Sequence, residues 1–186
     1  MSQSELFPEK RPTPASPKEF SIREIGAVNA CKLNAMWHSR FPIIDWSNVV
    51  RNRYYICYIL EAHGVAYGVA IWSSPIAANR MKDGQSLLEL RRLALSPECP
   101  KNTATWMLAR MQEDIQTRFP DVIRLISYQD TEVHHGTIYK AANWQMVSVS
   151  PGGEWVRTDG DPRAKAQSAA SKARWEMELK KRRVSK

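Results

Sequence analysis

Three side chains able to move protons lie close together in this sequence: Ser127, Asp130 and Tyr139. Ser127 and Asp130 belong to the run VIRLISYQD, and Tyr139 to HHGTIYKAANW at 134–144. A carboxylate just past a strand end can orient or deprotonate an amine, and a hydrogen-bonded phenol can protonate a departing thiolate. Ser127 can hydrogen-bond a substrate. Each has a plainer reading: Tyr139 as an aromatic packed on a sheet, Asp130 as a turn aspartate capping the next segment. Arg92, within LLELRRLAL, can neutralise a phosphate or pair with an acid such as Glu89. His134 and His135 resemble a metal pair, but adjacent residues point apart in a strand and diverge by about 100° in a helix. At most one of them reaches a metal shared with His38. Trp37, Trp46, Trp72 and Trp144 suit a core or its rim better than base stacking.

The elements that must position these groups follow from periodicity. Ser21-Ile22-Arg23-Glu24 fits a capping box, and Ile22, Ile25, Val28 and Cys31 follow at helical spacing, extended by Ala35 and Met36. A helix is expected here, ending before Phe41-Pro42. YYICYIL (54–60) and VAYGVAIW (65–72) predict a hairpin through Glu61-Ala62-His63-Gly64. In residues 87–95, Leu88 and Leu90 lie on one face and Leu93 and Leu95 on the other. A strand whose apolar set changes faces implies a bulge near Arg91-Arg92, or burial on both sides. SPECPKN is a loop, and Asn102 or Thr103 can cap the helix TATWMLARMQEDIQTRF that Pro120 stops. VIRLISY is a further strand, GTIYKAAN a short helix, and QMVSVS and EWVRT closing strands. A strand–helix–strand unit over 87–128 requires a parallel crossover, so the fold expected is mixed α/β. Residues 1–20, with four prolines before Phe20, predict a mobile leader, 21–158 the folded α/β body, and 159–186 a basic tail of high helix propensity.

The 186 residues allow one domain with a substantial core. No apolar run approaches the roughly 20 residues of a membrane span, so no membrane partner is expected. Cys31, Cys57 and Cys99 are odd in number and widely spaced, which reads as reduced thiols in a cytoplasmic protein. From Arg163 to Lys186 there are nine Lys/Arg against two acids, a surplus of seven out of the chain's net +8. A basic end on a nearly neutral body predicts an arm for anions, nucleic acid above all; the plainer reading is a solvated tail.

The order of elements, with a bulged strand leading through a loop into a helix start, resembles the GNAT acyltransferase superfamily. That resemblance implies that LELRRLALSPECPKNTATWMLARM holds coenzyme A, its pyrophosphate on helix-start amides, with Leu93, Leu95, Lys101, Asn102, Thr103 and Ala104 in contact. The segment departs from the superfamily's glycine-rich loop, having no glycine between Ser96 and Thr105. Three motifs bring a closer resemblance, to the Mom DNA-modification proteins of phage Mu and related phages: E-L-x-R-x-A-L at 89–95, S-x-x-D at 127–130, and H-H-G-x-I-Y-x-A-x-N-W at 134–144. It implies an acyl-CoA-dependent enzyme in a phage-infected host cytoplasm that carbamoylmethylates adenine N6 in double-stranded DNA against restriction. By position it implies catalytic roles for Arg92, Ser127, Asp130 and Tyr139, acetyl-CoA or a related acyl-CoA as cofactor, and iron through His38. A GNAT-type N-acetyltransferase on a small amine or protein, and a non-catalytic DNA-binding protein on the same fold, stay open as alternatives. So does a dimer.

Overall fold

The computed structural model describes residues 13–38, 41, 43–75, 86–152 and 170–179. Its spine is a seven-stranded sheet of order β1-β2-β3-β4-β5-β7-β6. These are Ser21–Glu24 (β1), Tyr55–Ala62 (β2), Val65–Ser73 (β3), Leu87–Leu95 (β4), Arg124–Asp130 (β5), Gln145–Ser150 (β6) and Lys172–Glu178 (β7). Only β4 and β5 run parallel; every other pair is antiparallel. The helices are α1 (Ala27–Trp37), α2 (Ser47–Val50), α3 (Thr103–Arg118) and α4 (Thr137–Ala141).

The sheet has two covered faces. On one, Met107, Leu108, Met111 and Ile115 of α3 pack on Tyr58, Leu60, Trp72, Leu88 and Leu90, together with Tyr139, Trp144 and Trp175. On the other, Ala27 and Ala30 of α1 and Val49 of α2 pack on Cys57, Val69, Ile71 and Ala94. The expected mixed α/β architecture is therefore present, with its parallel crossover through α3.

The expected bulge is present too. Ile71 pairs with Arg92 and Trp72 with Leu90, so Arg91 is an extra residue in β4. One inserted residue reverses the alternation. Leu93 and Leu95 thus pack on the same α3-side core as Leu88 and Leu90, and Ala94 joins the α1-side core.

Two expectations are overturned. Ser21–Glu24 is not a capped helix start but strand β1, registered from Ser21↔Glu61 to Glu24↔Tyr58. Its Arg23 forms a two-pronged ion pair with Glu61 at 3.0 and 2.7 Å, and Glu24 pairs with Arg118 at 2.6 Å. The helix begins instead at Ala27, after Gly26. Likewise the basic tail is not helical where it is described. Lys172–Glu178 is a strand inserted between β5 and β6, with Ala173 and Trp175 buried on the α3-side core. Lysine, arginine and glutamate favour helices only when packing does not decide; here the alternation of Ala173, Trp175 and Met177 does. The division of body from tail at 158/159 and the strand expected at EWVRT lie outside the described residues.

Candidate active site

Where β4 meets β5 the sheet opens. Their pairing runs from Leu87↔Arg124 to Leu90↔Ser127 and goes no further, although β4 continues to Leu95 and β5 to Asp130. The parting begins at the extra residue Arg91. Beyond it, the β4 edge from Arg91 to Leu95 faces a β5 that is bonded only on its other side, to β7. A strand edge of this kind offers its N–H and C=O groups to an extended, amide-bearing ligand.

Ser127 and Tyr139 sit together at the apex of this gap. Their hydroxyls are 2.8 Å apart, and Ser127 Oγ also lies 3.4 Å from the Leu90 carbonyl. When Ser127 donates to that carbonyl it accepts from the Tyr139 phenol, giving a short chain of hydroxyls inside the protein. Tyr139 is packed on two indoles. Trp175 stacks on it at 5.3 Å between centroids and 16° between planes, and Trp144 stands at 5.5 Å. Burial pushes the Tyr139 phenol above its ordinary pKa, against the smaller opposing effect of the Ser127 bond. The phenol therefore keeps its proton at neutral pH, the state a proton donor needs.

The segment HHGTIYKAANW is built to hold this tyrosine. Gly136, just before α4, has φ +71°, and a Cβ there would lie 2.3 Å from Trp175 Cζ2 and 2.7 Å from Gln129 Oε1. Only glycine combines that backbone with that closeness. Gln129 accepts from Trp175 Nε1 at 2.7 Å and donates through Nε2 to the His134 carbonyl, fixing the turn from both ends. Asn143, at φ 61°, closes the helix in the left-handed conformation that asparagine tolerates better than most residues. Trp175, Gln129 and the glycine–indole contact do not stand out in the sequence. The period-two pattern of KARWEME is the one signal there that points to Trp175.

Asp130 is elsewhere. Alternation along β5 puts Leu125, Ser127 and Gln129 on the α3 side and Asp130 on the α1 side. Asp130 is half-buried, and its Oδ1 accepts the Glu132 N–H at 3.0 Å, the turn-capping role. Asp130 and Tyr139 thus flank the gap from opposite faces.

Arg92 also belongs to the α1 side, with Arg91. Arg92 lies over the Phe41 ring at 5.3 Å and donates to the Arg91 carbonyl at 2.6 Å. Burial first, and then the Arg91 charge, lower its pKa to about 10. His38 stands beside it, its Nδ1 accepting the Phe41 N–H at 3.1 Å. Burial and the charges of Arg92 and His134 press the His38 pKa down to about 4. A ring neutral at pH 7 could ligate through Nε2, but no group of three metal-binding side chains converges among the described residues. His134 and His135 are exposed. These residues do not fit an iron site.

The loop before α3 lies on the opposite face of the sheet from Arg92. Leu93 and Leu95 are half-buried there. Thr103 is buried and turns its hydroxyl back to the Pro100 carbonyl at 2.7 Å, so it braces the loop. Lys101 and Asn102 are exposed. Asn102 occupies the N-cap position at φ 69° but makes no side-chain cap bond. The Thr103 amide is directed to the Pro100 carbonyl at 3.4 Å, while those of Ala104 and Thr105 have no acceptor within the helix. This is a fit for an anionic group that depends on backbone, not on glycine.

A seven-stranded mixed sheet parted at a bulge, with a helix start below the gap, defines a GNAT-type fold, and solved structures agree. The chain is similar to a GNAT family acetyltransferase from Streptococcus pneumoniae at 12% identity and TM-score 0.61, covering 87% of this chain and 100% of that one. It is similar to the IAA acetyltransferase from Bacillus cereus at 12% and 0.58, covering 86% and 99%. A GNAT family acetyltransferase from Elizabethkingia anophelis with acetyl-CoA bound matches at 11% and 0.58, covering 87% and 99%. No curated protein matches the chain. The chain belongs to the Mom protein family, whose family model matches residues 19–185.

Proposed function

We propose that this protein is an acyl-CoA-dependent transferase that modifies an amine of DNA, with adenine N6 as acceptor. In a phage-infected cytoplasm such a modification would shield DNA from restriction. The observation that carries the reading is the gap between β4 and β5 with the Ser127–Tyr139 hydroxyl pair at its apex, in a chain of the Mom family. Coenzyme A supplies the acyl group as a thioester. The β4 edge and the Ala104 and Thr105 amides would hold it on the α3 side, where Leu93 and Leu95 pack.

Formation of the C–N bond and cleavage of the C–S bond leave one proton to remove from the amine and one to give to the sulfur. In this reading Asp130, on the α1 side, takes the first, and Tyr139, alone or through Ser127, gives the second. An adenine amine conjugated with its ring is a weak nucleophile, so a positioned carboxylate matters. The base must leave the helical stack to reach the gap.

Mass spectrometry of nucleosides from DNA of cells expressing the protein tests the reading. A new modified deoxyadenosine, lost with Tyr139→Phe, is the expected result. Unmodified DNA, together with transfer of the acyl group to a small amine or protein, would refute the DNA acceptor. Failure of acetyl-CoA and coenzyme A to bind at millimolar concentration in calorimetry would refute the transferase.

A further inference from the structure

The β4 bulge also creates a cationic pair on the α1 side of the sheet. Arg92 pairs with Ile71, whose side chain is in the α1-side core. Arg91 donates to Ser73 Oγ at 3.4 Å, and Ser73 lies two residues on from Ile71 on the same face. A regular strand would point consecutive residues to opposite faces; the extra residue turns both guanidinium groups the same way. Both arginines are half-buried, and the Nε–H of each is enclosed without an acceptor among the described residues. Glu89 is the carboxylate whose charge acts on both. Among the described residues two cations thus face one buried acid, and enclosed charged donors left without acceptors are costly.

The surroundings narrow the ligand. The helix-start amides of α3 lie on the other face, so this cation pair is not the place for the coenzyme's pyrophosphate. Phe41, under Arg92, is fixed by Asn34 Nδ2 at 3.0 Å and by His38. Between α1 and α2 the chain exposes Met36, Ile43 and Trp46, at 69%, 86% and 48% of their surfaces. An anion site next to the Phe41 ring describes a nucleotide: a phosphate for the two guanidinium forks, and a base for the exposed apolar chain that follows Phe41.

We propose that Arg91 and Arg92 form a phosphate subsite on the acceptor side of the gap, holding a phosphate of the nucleotide to be modified. The proposal rests on the DNA-acceptor reading and adds a place and a chemistry for the acceptor.

The test uses the full chain at constant ionic strength. Binding of dAMP, deoxyadenosine, inorganic phosphate and acetate is measured by calorimetry and by thermal melting, for wild type, Arg91→Gln, Arg92→Gln, Arg92→Lys and the surface control Arg110→Gln. Expected are tighter binding of dAMP than of deoxyadenosine, and stabilisation by phosphate beyond acetate. Each glutamine variant should lose roughly 10- to 100-fold in dAMP affinity, the usual worth of hydrogen bonds to a charged group. Arg92→Lys should recover part of that loss, and Arg110→Gln should lose nothing. Coenzyme A affinity should stay near the wild-type value throughout, because the β4 edge meets the coenzyme through backbone groups that these side-chain changes keep, and the α3 amides lie on the opposite face. If a glutamine variant does not fold, Arg92→Lys and the wild-type ligand ranking decide. Equal effects of acetate and phosphate, or dAMP affinity unchanged in the folded variants, would overturn the subsite. If coenzyme A failed to bind wild type while dAMP still bound through Arg92, the transferase reading would fall and the subsite would stand.

Discussion

Tyr139→Phe removes one oxygen from the apex of the gap, and its cost to folding can be separated from its cost to chemistry. The ring keeps its stack on Trp175 and its contact with Trp144. Ser127 loses the 2.8 Å partner but retains the Leu90 carbonyl at 3.4 Å, so no buried donor is stranded. The expected loss of stability is that of one neutral hydrogen bond, about 1 kcal/mol, which lowers the melting temperature of a protein this size by roughly 2–4 °C. If the phenol protonates the leaving sulfur, activity falls by about 10²- to 10⁴-fold, far more than a fold loosened by 1 kcal/mol explains. Tyr139→Ala would not separate the two, because deleting a buried aromatic costs about 3–5 kcal/mol by itself. The assay is modified-nucleoside yield beside thermal melting. Wild-type yield in a folded Tyr139→Phe protein refutes the proton-donor role and leaves the tyrosine as packing. Burial raises the phenol above its ordinary value of 10.0, so the wild-type rate should show no loss from tyrosine ionisation near neutral pH.

Ala104→Pro should delete a helix-start amide while keeping α3, since proline is tolerated in a first helical turn; coenzyme A affinity should fall about 10-fold or more at unchanged melting temperature, measured by calorimetry. His38 is ordinarily protonated below 6.5 but in the fold only below about 4. The unfolded chain therefore binds the extra proton first, and stability should drop as pH falls from 6.5 towards 4. His38→Gln should flatten that slope in melting curves taken across the window. Ending the chain after residue 171 removes β7 and Trp175, and should abolish cooperative melting. Ending it after residue 179 should leave the fold but reduce DNA affinity, with a salt slope shallower by about 0.9 for each phosphate that the shortened chain no longer neutralises.

How far the sequence revealed this site depends on the range of the interactions that make it. The helix α3, the short helix α4 and the β2–β3 hairpin are set by neighbours in the chain. Pro120 stops α3, and His63 and Gly64 both take the positive φ of a tight turn. All three elements were legible. The bulge was legible as one of two readings, the other being a strand buried on both faces, and the pairing of Ile71 with Arg92 and Trp72 with Leu90 decides between them. Ser21–Glu24 was not, since a capping box and an edge strand can share one sequence. What decides is Glu61, forty residues on from Ser21 in the chain and opposite it in the sheet. The same holds for Lys172–Glu178, whose helix-favouring composition yields to a slot between β5 and β6 that only the finished sheet provides. The candidate site shows both limits at once. Ser127 and Tyr139 were legible as candidates, but the placement of Asp130 across the sheet from them follows from register. The indole that stacks on Tyr139 comes from a strand whose composition reads as tail. A basic, helix-prone segment thus contributes the wall of the candidate site. Trp175→Ala should accordingly disturb Tyr139 as well as the sheet, an effect that no separation of catalytic body from DNA-binding tail would lead one to expect.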